Sequence, residues 1–480
     1  MESWVPSILM IVYGVVVIYI ARHPKIRTTL NMEDYFVAGR TFSFLVLYMT
    51  VAATTYSGLA LMGLPGLYLN KGIGAFFVFT YISFGYAILY MIGPRIWEVG
   101  KEHGYATQAD LLGGRFDSSL IRGVSAVTGF VLMFPYIAAG FIACAYVINI
   151  LTYGTVSHWL GSLIILAITI VYIWLGGIKA VGWTDVVQGF IMLVALIGSG
   201  YIVVANYFPG TTALFDAVIS KAPEKLSIAK GYSWPMYTSM IFMMMWGLLS
   251  WPHVFIRMYT AKSKKVIKLT SAIGPVGCFV VYVSMMLAAF AILTASPHKF
   301  PAPDKALLTE LGHIAPIWFF GIVGIGALAA AMSTIDSQAH VGGVIIARDI
   351  IQKLFKKKAE EGKIVNLCRI IIVIGLIGSY IISLYPPKLL WNILIAAYAG
   401  VSQVIPPMIA ALYWKRATRE GAATGLIAGL IIALLFSYVW KHPLGVHAGV
   451  WGMVVNAVLL IVMSYATKPP SAETLKRFFK

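Results

Sequence analysis

Charge is scarce in this sequence. Of its 480 residues only 11% are Asp, Glu, Lys or Arg, where a soluble chain carries about 25%. Hydrophobic residues make up 60%. Water does not solvate so apolar a surface, but a bilayer does. An ordinary soluble protein is therefore excluded. Cysteine is almost absent too. The spacings of Cys144, Cys278 and Cys368 match no metal site or disulfide framework, so all three read as reduced packing residues. There is no CxxC pair, no P-loop and no HExxH, and the Gly-Gly pairs follow no strand pattern that would signal nucleotide binding. No ATP-driven or metal-hydrolase chemistry is evident.

What the chain has instead is a series of apolar runs, each near the roughly 20 residues that cross the hydrocarbon core. Thirteen spans are read near 6–21, 42–69, 72–94, 123–150, 158–175, 183–206, 235–256, 270–294, 314–346, 367–385, 389–413, 421–440 and 447–466. They describe an all-α polytopic membrane protein, one domain over 1–480 with no soluble appendage. The first run lacks a basic n-region and a small-residue cleavage site, so it reads as a retained span. Several runs exceed the bilayer thickness and must tilt, break or extend into water.

The net charge is +18. Nucleic acid is one partner that suits a basic chain, but here the bases sit in short connectors between apolar runs. Of 36 Lys and Arg residues, 28 fall on one set of connectors and 8 on the other. The rich set includes Arg22, Arg40, Arg115, Arg257, Lys262, Arg348 and the lysine cluster at 353–358, and it is cytoplasmic by the positive-inside rule. That places the N-terminus outside and the C-terminus inside. The cluster is an orientation signal, or else a site for anionic lipid headgroups.

Function in a membrane chain shows where a span carries groups that lipid rejects. Only Asp185 and Asp336, of eighteen acidic residues, fall within or at the edge of these spans. The second span holds Thr50, Thr54, Thr55, Ser57 and Gly58, followed by Gly63, Pro65 and Gly66. Hydroxyls compete for backbone groups and Pro removes a donor, so a helix here is poorly held. Broken midplane helices free carbonyls that bind cations in transporters; the alternative is close packing by small residues. In the ninth span Ser333, Asp336 and Ser337 share a helix face, with Thr334 beside them and Ala330 one turn earlier. Hydroxyls, a carboxylate and a carbonyl suit a small hard cation, or a polar seam between helices. Asp185 begins an otherwise apolar helix after Gly176 and Gly177, where a first-turn acid favoured by the dipole is the competing role. Gly247 and Pro252 mark a second interrupted helix. With five spans in each set, 42–206 and 235–413, the breaks fall in the first helix of each, as expected for inverted repeats with a site between them. His253 and His340 lack metal-ligand spacing and read as satisfied polar residues.

These segments together resemble the sodium:solute symporter family, whose members carry proline, pantothenate, monocarboxylates, sialic acid or sugars. The strongest pieces are 176–188, 251–262 (Trp-Pro-His-Val-Phe-Ile-Arg-Met-Tyr-Thr-Ala-Lys) and 329–338, and 61–66 looks like the proline-carrier branch. The resemblance implies a LeuT-type 5+5 inverted-repeat fold with one extra helix before the core (6–21) and two after it (421–440 and 447–466). It implies Na⁺ as the coupling ion, held by the carbonyls of Ala53, Tyr56 and Ala330 and the hydroxyls of Ser333 and Thr334. A possible second cation or proton site maps to Asp185, Asp336 and Ser337, together with Ser333. Substrate positions map to Thr55, Ser57, Gly58, Tyr136, Met244, Leu248 and Pro252, with Trp251 as a partial replacement for lost aromatics. Thr55 stands where the proline branch often has an acid, and Met244 and Leu248 stand where it has an aromatic pair. These departures disfavour a proline carrier, and the expected solute is a small carboxylate: a monocarboxylate, an amino acid or a pantothenate-like acid.

The resulting expectation is a symporter in the cell membrane, and not an enzyme. Its partners are a small solute and membrane lipid, with no nucleic acid and no obligate protein partner evident. A proton-coupled carrier of the same fold is the nearest rival. A channel is disfavoured by the paired breaks, and a sensor by a tail after 466 too short for an appended domain.

Overall fold

A computed structural model describes residues 4–23, 31–300, 302–355, 360–386 and 391–479. Among them the chain is helical, with one isolated bridge between Phe42 and Ala261 in place of any strand. Lipid offers the backbone no hydrogen bonds, so spanning segments must satisfy theirs internally.

The principal helices are α1 (Val5–Arg22), α2 (Phe44–Gly58), α3 (Leu64–Lys71), α4 (Phe77–His103), α5 (Ser119–Leu151), α6 (His158–Tyr207), α7 (Trp234–Met244), α8 (Pro252–Thr260), α9 (Lys264–Ala295) and α10 (Ile317–Val344). They continue as α11 (Glu361–Ser383), α12 (Trp391–Val401), α13 (Ile405–Tyr413), α14 (Arg419–Tyr438), α15 (Ala448–Ala466) and the short α16 (Ala472–Phe478). Ten helical stretches among the described residues are long and apolar enough to cross a membrane. Side-chain caps start several of them. Ser118 takes the Ile121 amide, Ser263 that of Val266 and Thr418 that of Gly421, satisfying donors that the helix leaves free.

The stretch through α10 is 83% buried inside the protein, against 28% for α1. α10 is thus the central post. It packs on α2, α5, α6 and α11, while α14 and α15 form a peripheral pair. Exposed apolar side chains such as Ile11, Phe84, Val131, Ile374 and Ile461 form the outer surface that a bilayer tolerates and water would not.

The linear reading needs three corrections. Arg257, counted among connector bases, lies inside α8 and is wholly buried. Asp185 is not in a first turn: α6 breaks at Gly177, with φ 55° and ψ −155°, so Asp185 sits about two turns into its second half. Acids outside the spans also join the long helices, among them Glu98 and Glu102 in α4 and Asp349 in the π-helical continuation Ile345–Leu354 of α10. Lys356, Lys357 and Lys358 of the basic cluster lie outside the described residues, as do Lys25, Arg27, Lys388 and Lys480.

Candidate functional site: a break between α2 and α3 facing α10

α2 ends in hydroxyls that turn on their own helix. Thr54 and Thr55 donate to the carbonyls of Thr50 and Val51 at 2.7 and 2.6 Å. At Ser57 the chain leaves helical geometry, with φ 50° and ψ 172°. The Ser57 hydroxyl accepts the Leu59 amide at 3.2 Å, and the backbone widens to π geometry over Leu59–Gly63 before α3 resumes. Positive φ is unfavourable for a residue with a side chain, so tertiary surroundings must hold the break.

α10 supplies them. The Ser333 hydroxyl lies 3.1 Å from the Ala53 carbonyl oxygen and 3.0 Å from that of Ala330. The Thr334 hydroxyl lies 3.3 Å from the same Ala330 oxygen. All four residues are buried. Four neutral oxygens therefore converge from two helices, and oxygen sets of this kind suit a small hard cation. Tyr56 stands one turn past Ala53. Its carbonyl is already taken by the Leu59 amide, and its ring packs on Tyr282.

One turn further along α10 lies a charged cluster. Asp336 accepts from the Tyr172 hydroxyl at 2.8 Å and from the Ser337 hydroxyl at 3.2 Å. The Ser337 hydroxyl also lies 2.6 Å from the Ser333 carbonyl. Asp185 accepts from the Thr50 hydroxyl. Between these groups lies the Arg257 guanidinium, 3.4 Å from Asp185 and 2.5 Å from the Ser337 hydroxyl.

Of the candidate substrate residues, the structure gathers Ser57, Tyr136 and Trp251. The Tyr136 side chain is a neighbour of Ser57. The Tyr136 and Trp251 rings stand 5.1 Å apart. Gly58 packs against Ala331 and Ala143. Other candidates are engaged elsewhere. The Thr55 hydroxyl bonds to its own helix, Leu248 faces Gly85 of α4, and Pro252 faces Gly129 of α5. Met244 is buried at the end of α7.

Sequence reasoning missed several neighbours. Tyr398 stacks edge-on against Trp251 at 5.5 Å and lies 5.9 Å from Tyr81. His253 lies 5.6 Å from Trp251 and 6.0 Å from Tyr136. For Arg257 a signal was present: it follows His253 by one helical turn in the interrupted segment, and its guanidinium donates to the His253 carbonyl. Tyr81, Tyr172 and Tyr398 carried no signal among so many membrane aromatics.

Comparison with known proteins adds a second line. The model of the sodium:solute symporter family matches residues 35–429. The sodium/proline symporter of Escherichia coli is 28% identical over 471 residues, covering 94% of this chain and 91% of that protein. The uncharacterized symporter YodF of Bacillus subtilis is 24% identical over 442 residues, covering 90% and 87%. Among solved structures, a substrate-bound, outward-open Na⁺-coupled sialic acid symporter superimposes with a TM-score of 0.81 at 17% identity, covering 98% of this chain and all of that one. That last likeness speaks for the fold, which is LeuT-type.

Proposed function

This chain belongs to the sodium:solute symporter family, and we propose that it imports a small organic carboxylate by coupling it to inward movement of Na⁺. It is a multi-pass protein of the cell membrane, and its relatives are symporters rather than enzymes. The observation that carries the reading is the Ser333 hydroxyl facing the Ala53 carbonyl at 3.1 Å across the α2 break. In this reading the carbonyls of Ala53, Tyr56 and Ala330 and the hydroxyls of Ser333 and Thr334 hold the ion, with the Tyr56 carbonyl giving up its amide partner to do so. Ser57, Tyr136 and Trp251 contact the solute. A monocarboxylate, an amino acid or a pantothenate-like acid fits, because hydroxyls and broken-helix ends can hold an anionic group.

Coupling follows from geometry. Na⁺ bridges α2, which ends at the break, and α10, which faces it, and so favours the conformation in which these two helices are together. A ligand shifts an equilibrium only by its differential affinity for the two states. Rearrangement of the helices around the site then exposes it to one side of the membrane at a time, with the N-terminus outside and the C-terminus in the cytoplasm. Each Na⁺ moving inward gains roughly 2.3 kcal/mol per 100 mV of membrane potential.

The test is uptake into proteoliposomes of radiolabelled L-proline, lactate and pantothenate, with and without a Na⁺ gradient. Uptake of at least one solute is expected to need Na⁺ and to collapse in Ser333→Ala and Thr334→Ala. Full uptake in sodium-free buffer driven by a pH gradient, or normal uptake by both folded variants, overturns the reading.

A further inference from the structure

We propose that Arg257 is a tethered cation that fills the place a second coupling ion would take, so that the protein binds one Na⁺. This rests on the sodium-coupled reading above and deepens it.

The argument starts from what surrounds the guanidinium. Arg257 is completely buried. Its Nε donates to the Thr50 hydroxyl at 2.9 Å, and one Nη donates to the His253 carbonyl. The other Nη reaches the Ser337 hydroxyl at 2.5 Å and the Asp185 carboxylate at 3.4 Å. Thr50 belongs to α2, Asp185 to α6 and Ser337 to α10. The acceptors are two hydroxyls, a carbonyl and a carboxylate. That is an oxygen set a hard cation would use, and here a side chain occupies it. Unlike an ion, the guanidinium cannot leave.

Charge balance gives the count. A buried, unpaired charge is strongly unfavourable. With both carboxyls ionised, Asp185 and Asp336 would bring two negative charges, and Arg257 returns one positive. The remainder is one negative charge, next to a cluster of oxygens from Ala53, Ala330, Ser333 and Thr334 that carries no formal charge. A single Na⁺ there makes the region neutral. The two positions touch: the Ser337 hydroxyl meets Arg257 on one side and lies 2.6 Å from the Ser333 carbonyl on the other. Asp336, which would lie outside the ion's oxygen shell, acts as a positioning residue that supplies the counter-charge. Asp185 also keeps one buried oxygen, Oδ1, with no hydrogen-bond partner. If the guanidinium is removed, this acid has lone pairs to offer a free ion.

The experiment is equilibrium binding of ²²Na⁺ to the purified full-length chain, which needs no knowledge of the solute. The wild type is expected to bind one Na⁺ per chain. Arg257→Met and Arg257→Gln are expected to bind two. Arg257→Met combined with Asp185→Asn is expected to return to one, and Arg257→Lys to stay at one. Should the neutral variants not fold, Asp336→Asn decides. It is expected to bind one Na⁺ roughly tenfold more weakly or worse, as removal of a nearby counter-charge in a low dielectric requires. Two ions on the wild type, one ion on folded Arg257→Met, or unchanged affinity in Asp336→Asn overturns the proposal and leaves sodium coupling standing. No specific Na⁺ binding by the wild type defeats the functional reading itself.

Discussion

A methyl group built on Gly58 would lie 2.8 Å from the Cβ of Ala331 and 3.1 Å from its Cα. The broken end of α2 therefore approaches α10 closely enough to exclude any side chain. Gly58 has φ −58°, a conformation open to every residue, so the requirement is one of space alone.

That contact yields a clean prediction. Gly58→Ala is expected to destabilise the folded protein by about 1–3 kcal/mol through overpacking. It should also lower Na⁺ affinity, because the Ala53–Ser333 approach depends on the same pair of helices. Adding Ala331→Gly should recover much of both losses. Thermal melting in detergent with and without Na⁺ reads the two effects, and melting unchanged in the single variant would contradict the close approach.

A second prediction concerns pH. Asp110, in the connecting helix Gln108–Arg115, is buried between Arg122 at 2.6 Å and Arg348 at 2.5 Å. Burial alone would raise its carboxyl, but the two guanidinium groups outweigh burial and hold it below the usual 3.8. A depressed carboxyl stabilises the folded state above its unfolded value and loses that contribution as pH falls through its folded value. Melting temperature should thus decline more steeply below about pH 4 in the wild type than in Asp110→Asn. At neutral pH the variant should be less stable by about 3 kcal/mol, since Arg348 loses its acid and Arg122 keeps only Asp349, at 3.0 Å. Parallel melting curves from neutral pH down to pH 3 would refute the assignment.

A third prediction concerns the C-terminal segment. Phe478 is only 3% exposed, although the rest of α16 is largely open to solvent. Its ring lies 4.9 Å from that of His103, and its carbonyl accepts from Arg95 at 2.6 Å. Arg477 donates to the Gly114 carbonyl at 2.6 Å. α16 is thus pinned to the end of α4 and to the following connector by one aromatic anchor. Phe478→Ala should cost about 3 kcal/mol of docking free energy, and amide exchange across 472–479 should speed by roughly a hundredfold. Glu473→Gln, on the exposed side, should leave exchange unchanged. Equal protection in both variants would show that the anchor lies elsewhere.

Much of this molecule was legible in the linear chain, because bilayer thickness and helix rise fix what an apolar run can do. The long helices overlap the apolar runs. Ten stretches among the described residues are long and apolar enough to cross a membrane, against thirteen spans in the linear reading, and the spans 158–175 and 183–206 share α6. The break in α2 was foreshadowed by Thr54, Thr55 and Ser57, whose hydroxyls do compete with the backbone. The interruption before α8 was foreshadowed by Pro252. Local signals such as these need no partner to be read.

Arg257 shows the limit. By linear position it is one more base ahead of a lysine-rich connector. In the folded protein it is a buried cation whose oxygen partners come from positions 50, 185, 253 and 337. Asp185 likewise, read as the acid that begins its helix, lies about two turns inside it once Gly177 takes positive φ and moves the start of that half. Composition and periodicity determined that this chain crosses the membrane in helices and where those helices break. Only the tertiary structure decided which charges meet inside, because the field at a buried group is set by distances between segments that the order of residues does not encode.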